Sequence, residues 1–105
     1  MQVYSTRFLA VHDQAGGVPA VYSVPAGKLA VIRDMDVYFG ASLAARQVYA
    51  EGSAGQVFWQ DSVGSTLAGW RSWRGRQVLY PGENFIMFGT DTFDLTASGY
   101  LLNLP

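Results

Sequence analysis

The sequence contains a single histidine, His12, at the end of a segment with the composition of a β-strand. A histidine can act as a general base or bind a metal, but a metal site usually needs three or four His, Cys or carboxylate ligands. The chain has no cysteine and no G-x-S-x-G nucleophile elbow. A lone histidine at a strand end is more often a solvated or hydrogen-bonded surface group. We therefore predict no catalytic residue, no metal ligand and no cofactor.

Asp34 and Asp36 lie two residues apart, so on a strand they share one face. Carboxylates about 5–9 Å apart act as acid and base in glycoside hydrolysis. A calcium site would need more oxygen ligands than this segment supplies. The favoured interpretation is the polar face of a half-buried strand, with an ion pair to Arg33 or to another arginine.

The densest chemical cluster is Gly69–Arg76, which holds three of the six arginines and two of the three tryptophans. On a regular strand Arg71 and Trp73 share one face, and Trp70 and Arg74 share the other. The cluster could be a sugar-binding platform, a protein interface or a structural element. Trp and Arg are enriched at interface hot spots, so we rank interface or structural use above sugar binding. The candidate surface residues here are Trp70, Arg71, Trp73, Arg74 and Arg76.

Gly75 and Pro81-Gly82 are superficially similar to the second motif of the cupins, which are jelly-roll metal enzymes. That motif carries a Pro-x-Gly and a histidine, whereas here the order is Pro-Gly and no histidine follows. The His-x-His of the first cupin motif is also missing. A small cupin-like or hydrolytic enzyme is therefore the least favoured function, and we predict that the chain is not an enzyme.

Composition narrows the classes of partner. The chain has 105 residues, a length typical of one domain spanning 1–105, and a net charge of −1, which does not favour nucleic acid. It has no apolar run near the roughly 18–20 residues that span a bilayer, and no signal peptide is evident, so we expect synthesis in a cytoplasm and no membrane partner. Only 14% of residues are charged. Because interface cores are depleted of charge, this predicts that another protein covers part of the surface.

Turn signals recur at short intervals between segments rich in Val, Tyr, Phe and Trp, which is typical of a β-sandwich or barrel. We predict an all-β fold: a single antiparallel, jelly-roll-like β-sandwich of about eight strands. Pro25–Lys28 and Pro81–Glu83 are predicted tight turns. In the first, proline is expected to set φ at the second turn position and Gly27 to take the left-handed conformation. Gly40–Arg46 is a loop or one helical turn. The predicted strands are Val3–His12, Val18–Val24, Leu29–Phe39, Gln47–Ala50, Gln56–Gln60, Thr66–Trp73 with Arg76–Tyr80, Asn84–Phe88 and Thr92–Leu104.

Two details of these strands bear on function. Asn84–Phe88 is almost wholly apolar, so Phe85 and Met87 join the candidate interface. In Thr92–Leu104 the apolar residues change parity at Ser98-Gly99, which predicts a bulge in that strand that restores one buried face. Gly75 is a second predicted bulge.

The chain also resembles a group of small structural proteins of tailed bacteriophages that infect actinobacteria. The resemblance lies in Val24–Lys28 followed by Val31–Tyr38, and in Trp73–Val78, Pro81–Glu83 and Ser98–Leu102. It implies a capsid decoration, minor capsid or minor tail protein, assembled in the host cytoplasm and located in the virion. It also implies a homo-oligomer, with a trimer favoured, that docks on capsid or tail proteins. A carbohydrate-binding module that recognises a host glycan, using Trp59, Trp70 and Trp73, is the alternative.

Overall fold

The computed structural model describes residues 6–40, 45–64 and 68–104. Within these residues the chain forms eight strands and one short 3₁₀ helix, Ser53–Gly55. The strands are β1 (Thr6–Gln14), β2 (Ala20–Ser23), β3 (Lys28–Phe39), β4 (Arg46–Glu51), β5 (Val57–Val63), β6 (Gly69–Leu79), β7 (Asn84–Gly89) and β8 (Phe93–Asn103). No helix in the described part of the chain is long and apolar enough to cross a membrane.

The strands form two four-stranded sheets. The first sheet has the order β1-β8-β3-β6 and the second has the order β2-β7-β4-β5. Every paired neighbour is antiparallel. These orders are those of a jelly roll, in which two Greek keys wind into a double sheet. The predicted all-β, jelly-roll-like sandwich of about eight strands is therefore confirmed.

The core lies between the two sheets and is built by the period-2 alternation of their strands. Met35 and Val37 of β3 and Val48 and Ala50 of β4 are fully buried. Larger rings also fill the core, and Phe39 of β3 lies 6.1 Å from Phe93 of β8 between ring centroids. Each sheet is thus left with one face toward the core and one face outward.

The predicted bulge at Gly75 is present in β6. Ile32 is opposite Gln77 and Asp34 is opposite Arg74, so Gly75 and Arg76 together face the single residue Arg33. Glycine is required because the ring of Trp73 lies over it, and a β-carbon at position 75 would come within 2.7 Å of that ring.

The predicted bulge within β8 is wrong. Gly99 pairs with Ile32 and Ser98 with Asp34, so the extra residue, Arg33, lies on β3 and not on β8. β8 keeps one buried parity through the residues Phe93, Leu95, Ala97 and Gly99. The apolar residues of β8 change parity because Tyr100 and Leu102 are apolar residues on the outer face.

Gly99 makes this arrangement possible. A β-carbon at position 99 would overlap the carbonyl oxygen of Val31 and would lie 3.0 Å from the amide nitrogen of Arg33. Only glycine allows the backbones of β8 and β3 to approach this closely at the bulge.

Both predicted Pro-Gly turns form, with Gly27 at φ 75° and Gly82 at φ 83°. They differ in register, since the amide of Lys28 donates to Pro25 O (3.2 Å) while the amide of Glu83 donates to Tyr80 O (3.0 Å). Pro81 therefore occupies the second turn position, whereas Pro25, which was predicted there, occupies the first position of its turn.

The Gly40–Arg46 prediction falls partly on residues 41–44, which lie outside the described ranges. Arg46 itself begins β4 and is 1% exposed. Its guanidinium donates to the carbonyl oxygens of Gly40 and of Gly64 (2.7 Å for the latter), and it lies 5.8 Å from the centroid of the Phe39 ring. This arginine closes one end of the sandwich.

Candidate interaction surface

The arginine- and tryptophan-rich cluster of the sequence forms most of strand β6, at an edge of the first sheet. Exposure alternates along it: Trp70, Ser72, Arg74 and Arg76 are exposed, whereas the residues between them are partly covered. Some of the candidate residues on β6 are therefore exposed to solvent, and the others are partly covered by the rest of the chain.

Arg71 and Trp73 connect the edges of the two sheets. The Nε of Arg71 donates to Ser62 O at 2.9 Å and lies 3.6 Å from Oδ1 of Asp61. The indole of Trp73 meets the Phe58 ring edge-on, with the centroids 5.2 Å apart. Because Asp61, Ser62 and Phe58 all belong to β5, these contacts hold β6 against the opposite sheet, which is a structural role.

Arg74 lies in what we call the ion-paired centre, formed by Arg74, Asp34, Asp36 and Ser72. Arg74 Nε is 3.2 Å from Asp34 and Nη2 is 3.0 Å from Asp36, and Ser72 Oγ donates to Asp36 at 2.7 Å. The two carboxylates share the outer face of β3, as the sequence predicts, and bind one guanidinium.

The pKa of Asp36 reflects this surrounding. Burial raises it, but the hydrogen bonds from Ser72 and Arg74 and the charge of Arg74 together outweigh burial, and the pKa lies below its ordinary value. A carboxyl group held ionised in this way is poorly suited to act as a general acid.

A second group, which we call the acidic row, crosses all four strands of the first sheet at one end of its outer face. It consists of Trp70, Tyr38, Asp94 and His12. Tyr38 is opposite both Trp70 and Asp94, and its ring lies 5.0 Å from that of Trp70. Trp70 is 64% exposed, an unusually large uncovered surface for this side chain.

His12 and Asp94 form the polar part of the acidic row, and both contact Asp13, the residue after His12. His12 Nδ1 is 2.9 Å from Asp94 and Nε2 is 3.2 Å from Asp13, while the amide of Asp13 donates to Asp94 at 2.8 Å. These groups line a cavity of about 340 Å³ that also includes Tyr38 and Phe93.

This convergence could not be predicted from the sequence, because Asp13 and Asp94 are 81 residues apart. One ligand-type atom from each of His12, Asp13 and Asp94 lies within 4.8 Å of the others. His12 and Asp13 are largely exposed, and each histidine nitrogen already faces a carboxylate. This agrees with the interpretation of His12 as a hydrogen-bonded surface group.

A third group, which we call the arginine groove, lies on the same outer face beyond the ion-paired centre. Val31, Arg33, Arg76, Tyr100 and Leu102 line a groove of about 250 Å³. Val31 forms its buried floor and lies outside the core cluster. Leu102 is 48% exposed. Within the described ranges, neither Arg33 nor Arg76 has an ion pair or a side-chain hydrogen bond.

The bulge at Arg33 places this groove on the outer face. Before the bulge the odd-numbered Val31 faces outward, and after it the even-numbered Asp34, Asp36 and Tyr38 do. Among the groove residues, only Arg76 belongs to the predicted candidate surface. The predicted bulge at Ser98-Gly99 would instead place Tyr100 and Leu102 on a buried face.

The structure corrects the candidate surface at Phe85 and Met87. Both side chains are 0% exposed in the core, so neither can contact another molecule. The outward residues of β7 are instead Ile86 and Phe88, which are partly covered.

The three tryptophans do not form one platform. Trp59 and Trp73 pack against the core, and only Trp70 presents its ring to solvent. No family model matches this sequence, and no curated protein or solved structure is detectably similar to it.

Proposed function

We propose that this chain is a non-enzymatic structural protein of a bacteriophage particle, which associates with copies of itself and docks on the capsid or the tail. The observation that carries the proposal is the outer face of the first sheet. It combines an exposed tryptophan, an apolar groove and two arginines without a carboxylate partner among the described residues.

The physical argument is that such a face is costly to leave in water. Exposed apolar patches rimmed by polar groups usually mark interaction sites. Tryptophan and arginine are the residues that contribute most to protein interfaces. The low overall charge, 14% of residues, agrees with a surface that is partly covered by protein.

The phage setting rests on the resemblance of Val24–Lys28, Trp73–Val78 and Ser98–Leu102 to small structural proteins of tailed phages. The jelly roll is an architecture that capsid proteins use. The fold alone does not determine function, and the proposal therefore depends on the surface and the resemblance together.

The experiment is quantitative mass spectrometry of phage particles purified through a density gradient from the organism that encodes this chain. We expect the chain to co-purify at a fixed ratio to the major capsid or tail-tube protein. Its recovery only in the soluble fraction of the lysate, with none on intact particles, would contradict the proposal.

The carbohydrate-binding alternative is favoured by one observation, the exposed ring of Trp70 beside Tyr38. An aromatic ring of this kind could stack on a sugar. A glycan array compares the wild type with Trp70→Ala: specific binding that the substitution abolishes supports the alternative, and an array without binding contradicts it.

A further inference from the structure

The acidic row and the arginine groove are complementary to each other. One end of the outer face presents the exposed indole of Trp70 on β6 and, two strands away on β8, the carboxylate of Asp94. The other end presents an apolar groove with Arg33 and Arg76. A protruding ring with a carboxylate in the same row thus has, on the same molecule, a groove with two arginines along it.

The two patches share one face at a defined separation. Tyr38 and Val31 both point outward from β3 and are seven residues apart, which corresponds to roughly 20 Å along the strand. The ion-paired centre lies between them, and there the guanidinium of Arg74 compensates one of the two carboxylate charges. The groove cannot therefore be filled by the Trp70 of its own chain.

We propose that the outer face of the first sheet binds the same face of a second copy around a two-fold axis. In this dimer Trp70 of each copy occupies the arginine groove of the other beside Arg76, and Arg33 meets Asp94. This inference rests on the self-association in the proposed function and names its surface.

The two-fold arrangement follows from where the patches lie. When two complementary patches share one face, a rotation by half a turn brings each against its counterpart, and the assembly closes at two copies. The result is an isologous dimer and not the trimer that the phage resemblance implies.

The area of the face is sufficient for such a dimer. Four strands spaced about 4.8 Å apart, each about 11 residues long, cover roughly 700 Å². Two such faces bury about 1,400 Å² in total, inside the range of about 1,200–2,000 Å² for stable complexes. The groove, at about 250 Å³, is smaller than most small-molecule sites, and suits a single inserted side chain.

The test uses two variants that remove opposite halves of the contact. Trp70→Ala removes the ring and leaves the groove intact. Leu102→Asp places a carboxylate in the apolar groove and leaves the ring intact. Both residues are well exposed, so we expect both variants to fold. Native mass spectrometry and sedimentation velocity measure association between about 1 and about 100 micromolar.

We expect a dimer for the wild type and at least a roughly tenfold weaker dimer for each variant alone. In an equal mixture of the two variants, one intact ring-in-groove contact remains in each mixed dimer. The mixture should therefore form a heterodimer of intermediate affinity, which a nonspecific surface effect would not produce.

A charge-matched pair tests the arginines. Arg33→Ala/Arg76→Ala lowers the net charge by two and should weaken the dimer. Gln56→Glu/Gln60→Glu makes the same change in net charge at exposed positions in and beside β5 of the second sheet, and should not weaken it.

The outcomes separate this inference from the proposed function. Variants that associate as tightly as the wild type, a mixture without a heterodimer, or a wild-type trimer would overturn the two-fold surface while leaving a self-associating virion protein in place. A wild type that stays monomeric over the whole range would overturn both the surface and the proposed self-association.

Discussion

The outer faces of the two sheets differ in their charges. In the second sheet, formed by β2, β7, β4 and β5, the one basic residue is Arg46, which is buried. Its outer face carries mainly apolar and uncharged groups, such as Val21 and the Tyr49–Phe88 pair. On either side of the ion-paired centre, the outer face of the first sheet presents Arg33 and Arg76 at one end and Asp94 at the other. Both faces carry apolar side chains, but only the first has complementary charges that could select a partner and an orientation.

Within the first face, a second contrast separates arginines that hold the fold from arginines that are available for binding. Arg74 is neutralised by Asp34 and Asp36. Arg76, two residues later, lines the groove and has no ion pair within the described part of the chain. Similar residues in one sequence cluster therefore have different roles, which are set by the residue on the neighbouring strand.

The largest expected effect comes from a substitution that disrupts the first sheet between the ion-paired centre and the arginine groove. Gly99→Ala should lower the free energy of unfolding by about 3 kcal/mol or more, because the new β-carbon overlaps the backbone of Val31. Gly69→Ala in the same sheet is the matched control, since a β-carbon there meets only side chains, at 3.5 Å or more. Urea unfolding measures both. A Gly99→Ala protein as stable as the control would contradict the close approach.

A smaller effect should distinguish Arg74 from Arg76. Arg74→Ala leaves two carboxylates together without their cation and should cost about 1 kcal/mol. Arg76→Ala should change monomer stability by less than about 0.5 kcal/mol. Urea unfolding at low protein concentration compares them. Equal losses would show that the two arginines contribute alike to the fold.

The smallest effect is the pH dependence of the ion-paired centre. The pKa of Asp36 is lower in the folded chain than its ordinary value of 3.8, so its ionised form stabilises the fold. That contribution is complete above the ordinary pKa and is lost as the pH falls through the lower folded pKa. We therefore expect the stability difference between wild type and Asp36→Asn to be constant near neutral pH and to shrink in acid. A difference that persists unchanged at pH 2 would contradict this assignment.

Much of the fold could be predicted from the sequence, because local chemistry determines it. Gly27 and Gly82 mark the turns, and the alternation in Leu29–Phe39 marks a half-buried strand. The surface could be predicted only in part. The composition of the sequence shows the cluster on β6. The residues that line the groove with Arg76, such as Val31 and Tyr100, lie on other strands, and only the register of the strands brings them together.

The errors have the same physical origin. Apolar residues on a strand predict a buried face, so the sequence pattern predicts a core position for Tyr100 and Leu102, whereas both face outward. The period of two identifies two faces without stating which one is covered. For Asn84–Phe88, which is apolar on both faces, that ambiguity placed Phe85 and Met87 at a surface although both lie in the core.

The most direct test of the account is hydroxyl-radical footprinting of the wild type at concentrations well below and well above the onset of self-association. We expect association to protect Trp70, Tyr100 and Leu102 on the first sheet, and to leave Val21 and Val57 of the second sheet equally reactive at both concentrations. Protection of Val21 and Val57 instead, or no protection of Trp70 in the associated protein, would contradict the claim that the outer face of the first sheet is the surface through which this protein assembles.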